Sequence, residues 1–106
     1  MGVKILSGTQ VVTALLDGEI DHHSAREIRE NIDAIVERTR PKLLKLDFAG
    51  VQFMDSSGIG LILGRYRLMK LLGGELQVVH VSDNLERLIQ LAGLGKLGII
   101  KKEVKQ

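Results

Sequence analysis

A chain of 106 residues with no Pro-, Ser- or Gly-rich linker is sized for one domain and one core, which leaves no inter-domain cleft to hold a site. It has no cysteine, so a disulfide framework, a thiol nucleophile and cysteine-ligated zinc are excluded, and a reducing compartment, the cytoplasm, is expected. Its 15 Lys and Arg against 13 Asp and Glu, with one Tyr, two Phe and no Trp, provide neither the basic field nor the stacking platform that direct nucleic-acid binding uses.

The opening "MGVKILSGTQ" lacks the apolar core of a signal peptide, and apolar runs elsewhere are broken well short of a membrane span. A soluble protein without membrane contact is expected. Gly2 is not an acylation site, because Leu6 stands where that motif needs Ser or Thr. In chain order, Val3–Leu6 and Val11–Leu16 flank the turn-rich "SGTQ" and predict a hairpin. Ser24 with Glu27 forms a capping-box pattern, and Ala25, Ile28, Ile32, Ile35 and Val36 recur at helical spacing up to Pro41.

"KLLKLDF", Lys42–Phe48, is short and apolar and predicts a buried central strand. A second helix is expected over Gly58–Leu72, stopped by Gly73 and Gly74. "ELQVVHV" predicts a strand over Glu75–Val81. "SDNLERLIQLAG" predicts a helix begun by Asp83 with Glu86 and stopped by Gly93, and "GIIKK" a last short strand. The order implies an α/β domain: a mostly parallel sheet of four to five strands, an N-terminal hairpin and three main helices joined by right-handed crossovers. No internal repeat or low-complexity segment interrupts it.

In such sheets function gathers where strand C-termini meet helix N-termini. Three loops fall there: "DGEIDHHS", the turn Asp55-Ser56-Ser57, and "HVSDN". Together they are the candidate surface. The turn is not a hydrolase elbow, since G-x-S-x-G is absent, and neither His22 nor His23 nor His80 has an orienting acid at a telling spacing. Gly58, Gly60 and Gly64 miss the dinucleotide fingerprint by one place, and close helix packing accounts for them better. Asp21, His22 and His23 offer ligand types without a metal pattern, and read as loop residues. Glu19 and Asp21 precede a helix, where negative charge offsets its dipole, while Arg65, Arg67 and Lys70 read as a solvated cationic face. One serine suffices as the cap of the second helix. The other hydroxyl is then spare, beside Gly58 and Gly60 and with Ile59 as a small apolar anchor, open to a docking macromolecule and to a kinase.

"GEIDHHSA" at Gly18–Ala25 and "FMDSSGIGLILGRYR" at Phe53–Arg67, with "GGELQVVHVS" and "ERLIQLAGLGKLGII", resemble the STAS-domain anti-sigma factor antagonists, most closely those of sporulation. The resemblance implies a single STAS-like domain over residues 1–106 and a regulatory protein, not an enzyme, without a cofactor of its own. It places the phosphorylation target at Ser56. It implies as partners an anti-sigma factor that is itself a serine kinase, with ATP bound by that partner, and a serine phosphatase. The unmodified form would hold the anti-sigma factor and liberate a sigma subunit. Asp21, Asp55, Ser57, Gly58, Ile59 and Gly60 become the expected partner-binding residues: Asp21 to pair with a basic group on the kinase, Asp55 to order the turn, Gly58 and Gly60 to allow close approach. The net positive charge and the short C-terminus depart from the family's usual form. A phosphorylation-independent STAS scaffold, and an enzyme or small-ligand binder using the Gly-rich helix start, are the competing readings.

Overall fold

A computed structural model describes residues 2–102 of the chain. The predicted hairpin forms from β1 (Gly2–Ser7) and β2 (Val11–Ile20), paired antiparallel from Gly2 opposite Asp17 to Ser7 opposite Val12. The remaining strands, β3 (Leu43–Met54), β4 (Glu75–Val79) and β5 (Ile100–Lys101), add in chain order, each parallel to the one before. A sheet that grows in one direction through right-handed crossovers places every crossover helix on the same face. Burial alternates accordingly. Val12, Ala14, Leu44, Leu46 and Val78 are fully buried on the helix face, while Thr13, Leu15, Lys45, Asp47 and Gln77 between them stay partly exposed.

Helix α1 (His22–Thr39) turns Ile28, Ile32 and Val36 into the core at the expected spacing. Its capping box differs from the expected one: Asp21, not Ser24, is the N-cap, and Ser24 is the third helical residue. Asp21 Oδ1 accepts from the Ser24 amide at 2.9 Å, and Ser24 Oγ accepts from the Asp21 amide at 2.9 Å. A carboxylate is the stronger acceptor for an orphan helix amide, so the helix starts at the acid and uses the serine for the return bond. At the far end Arg40 takes the left-handed conformation (φ 47°) and donates to Val36, and Pro41 follows.

β3 is longer than the predicted Lys42–Phe48. The strand continues through Ala49-Gly50 against the end of β2, with Gly50 opposite Asp17 and Met54 opposite Ile20, through two register shifts. Gly50 is needed there, because a Cβ would stand 2.9 Å from the Asp17 Cβ and 3.0 Å from the Leu16 carbonyl. Helix α2 (Ser56–Leu71) begins two residues before the expected Gly58, and helix α3 (Asp83–Leu91) is capped by Ser82, whose hydroxyl accepts from Leu85, rather than by Asp83. β4 stops at Val79 instead of Val81, since His80 turns into the left-handed region (φ 57°). A 3₁₀ turn at Gly95–Leu97, which the sequence pattern does not predict, leads into β5.

Candidate functional site

The extension of β2 and β3 past their bulges brings two helix starts together. Ile20 and Met54 are paired, the Asp55 amide donates to the Ile20 carbonyl at 3.1 Å, and so the N-caps Asp21 and Asp55 stand side by side at the sheet's edge. Each carboxylate is committed to its own backbone: Asp55 Oδ1 accepts from the Ser57 amide at 2.8 Å, as Asp21 does from Ser24. Hydrogen bonds from the Ser24 amide, and then from its hydroxyl, hold the Asp21 carboxyl below its ordinary pKa. That cap therefore adds stability above the ordinary carboxylate range, lost only as pH falls through the lowered value.

This arrangement answers what the two serines do. With Asp55 as the N-cap, neither hydroxyl serves the helix start, contrary to the expectation that one serine would. Among the described residues neither Ser56 nor Ser57 Oγ makes a hydrogen bond. Ser56 is exposed on the first residue of α2, and Ser57 is half-buried. Asp55→Ala removes the cap and is expected to cost about 1 kcal/mol, read as a lower urea midpoint with an unchanged slope.

Other expected site residues divide. Gly58 is buried, and a Cβ on it would meet the Met54 Sδ at 2.6 Å, so it serves packing and is not a face for a partner. Gly60 is exposed, and a Cβ on it would have nothing within 4 Å; the same holds for a Cβ on Gly64, so the packing explanation fails for both. Ile59 is half-buried and packed against the core, not an exposed anchor. The exposed apolar side chain at this edge is instead Phe53, 54% exposed and opposite Glu19. Sequence reading missed it, although an aromatic residue two places before Asp55, in a chain with so few, was the available signal. His22 and His23 are exposed, with His23 Nε2 3.4 Å from Glu27.

The third loop does not join the site. β4 ends level with Asp47, seven residues before Met54 along β3, which at ~3.3 Å per residue is about 20 Å down the strand. His80 meets Asp47 there, Nδ1 to Oδ2 at 3.0 Å. The expected solvated cationic face also needs correction: Arg67 and Lys70 are exposed, but Arg65 is 7% exposed and turns between α1 and α2. Its Nε lies 2.9 Å from Asp33 Oδ1 without the alignment of a hydrogen bond, and its Nη1 is buried without a partner. Burial outweighs attraction on both sides, raising the Asp33 pKa and lowering that of Arg65. Among the described residues no group of three or more His, Cys, Asp or Glu converges as a metal site, and no helix is long and apolar enough to cross a membrane.

The mixed sheet with its N-terminal hairpin carries a sequence that the STAS-domain family profile matches over residues 4–106: the chain belongs to the STAS-domain proteins. Within that family its relatives are regulatory binding proteins, not enzymes. The anti-sigma F factor antagonist of Paenibacillus polymyxa is 40% identical over 87 residues, covering 82% of this chain and 74% of that one. The structure of the anti-sigma factor antagonist SpoIIAA in its unphosphorylated form superposes with a TM-score of 0.85 at 28% identity, over 98% of this chain and 90% of that one. The phosphorylated form of the Bacillus cell fate determinant SpoIIAA gives 0.78 at 28% identity, over 98% and 93%.

Proposed function

We propose that this chain is a cytoplasmic anti-sigma factor antagonist whose unmodified form binds an anti-sigma factor, thereby releasing a sigma factor, and whose binding is switched off by phosphorylation of Ser56. In this reading the anti-sigma factor is the kinase and brings the ATP, and a serine phosphatase resets the switch. The observation that carries it is the unengaged Ser56 hydroxyl, exposed at a helix start that Asp55 already caps.

The switch is electrostatic. Phosphate adds about −1.5 to −2 charges at neutral pH. For the chain itself that charge is tolerable, because the N-terminus of α2 stabilises an anion by ~0.3–1 kcal/mol. For a partner packed over Ser56, Ser57 and Phe53, the same charge is buried without a counter-ion beside Asp21 and Asp55, at a cost of several kcal/mol. Asp21 keeps its outward charge for a basic group on the kinase. Incubation with an ATP-loaded anti-sigma F factor, followed by mass spectrometry, is expected to give one phosphoryl group per chain, located on Ser56 and abolished in Ser56→Ala. Transfer to Ser57 instead contradicts the assignment of the switch to Ser56, and no transfer at all contradicts the reading and favours the phosphorylation-independent scaffold.

A further inference from the structure

A groove of about 380 Å³ runs between α1 and α2 from the phosphorylatable turn, and Ser57 lines its end. Gly60 and Gly64, four residues apart on α2, lie along it with their Cα atoms bare: a Cβ at either would touch nothing in this chain. Interior helical glycines cost stability, and these two return nothing to their own fold. The groove's charged lining is basic, with Arg26 and Arg29 from α1 and Arg65 from α2, and no carboxylate among the lining residues. Arg26 is held loosely by Glu30 at 3.5 Å on the exposed surface, and Arg29 is attracted by Asp33 but makes no ion pair within 4 Å among the described residues. Arg65, more than nine-tenths buried, keeps a guanidinium nitrogen unpartnered although Asp33 stands beside it. That unpartnered nitrogen has almost no accessible surface, so Arg65 adds positive charge beneath the groove, not a donor within it.

We propose that this groove receives an acidic segment of the anti-sigma factor, its carboxylates meeting Arg29 and Arg26 above the buried charge of Arg65 while its backbone lies against Gly60 and Gly64. The proposal rests on the partner reading above and extends the contact from the Asp55-Ser56-Ser57 turn along α2. Two signs of charge then adjoin on one surface, acidic at Asp21 and Asp55 and basic in the groove, which fixes the direction in which the partner lies.

The test is calorimetric titration of a purified anti-sigma F factor with wild type, Arg29→Glu, Gly64→Ala and Ser56→Glu. Arg29→Glu is expected to weaken binding by at least about tenfold and to flatten its salt dependence. Gly64→Ala is expected to raise Tm by roughly 3–8 °C while weakening binding. If both groove variants bind like wild type while Ser56→Glu does not, the groove is not contacted and the inference falls, leaving the switch intact. If the groove variants lose binding and Ser56→Glu does not, the groove stands and the switch falls. A Gly64→Ala chain less stable than wild type also overturns it, since the glycine then serves its own fold.

Discussion

Ser56→Glu is expected to lower affinity for an anti-sigma factor by about a hundredfold or more while moving Tm by no more than roughly 4 °C. The asymmetry follows from where the charge lies. On the free chain it is in water on the first residue of α2, with a whole helix dipole behind it and no intrachain hydrogen bond to break. In a complex it is enclosed. A hundredfold corresponds to about 2.8 kcal/mol, below the several kcal/mol that an unpaired buried charge costs. The pair of measurements separates a switch from simple damage: equal losses of affinity and stability would mean that the substitution unfolds the helix start.

The second large effect lies behind the site, in the pair that ties its two helices. Asp33→Ala is expected to destabilise the chain by about 3 kcal/mol, because it leaves the Arg65 guanidinium buried without its counter-ion. That is a large share of the roughly 5–15 kcal/mol available to a domain of this kind. Replacing both partners, as Asp33→Leu with Arg65→Met, is expected to recover most of the loss, since the desolvation of the two charged groups is removed with their attraction. The pH dependence has a definite sign. Asp33 titrates above its ordinary value in the folded chain, so the stability linked to its protonated form is fully present below the ordinary value and is lost as pH rises through the raised one; above it the ionised Asp33 remains the counter-ion that Asp33→Ala removes. Urea unfolding of the two single variants and the double variant at neutral pH closes the cycle. An Asp33→Ala chain as stable as wild type would show that Arg65 is solvated.

Much of this molecule was legible in its sequence because local pattern and global fold agree. The hairpin, the apolar spacing of Ile28, Ile32 and Val36, and the chain order of strands and helices needed only periodicity and turn residues. What was misread needed three dimensions. The third strand was expected to end at Phe48, and only the close approach of Asp17 explains a glycine inside its longer run. The helix starts were placed late because Ser24, Ser56 and Ser57 are good caps, yet each follows within three residues an aspartate that accepts more strongly. Arg65 reads as a surface cation, since its partner Asp33 is remote in sequence and on another helix. The motif carrying Ser56 was plain, whereas the division of labour around it was not: Gly58 against Met54, Gly60 in the open, Phe53 exposed. Nor does the position of a loop after a strand reveal that β4 ends well below the turn and removes His80 from the site.

The most direct test of the switch uses one preparation in two states. The chain is phosphorylated to completion by an anti-sigma F factor and ATP, repurified, and titrated into fresh anti-sigma factor beside the unmodified chain, with its amide NMR spectrum recorded in both states. The account predicts a loss of affinity of about a hundredfold or more, with spectral changes confined to Asp21, Asp55 and the first turn of α2, and full recovery after phosphatase treatment. Undiminished affinity of the phosphorylated chain, or a spectrum changed throughout the sheet, would contradict it.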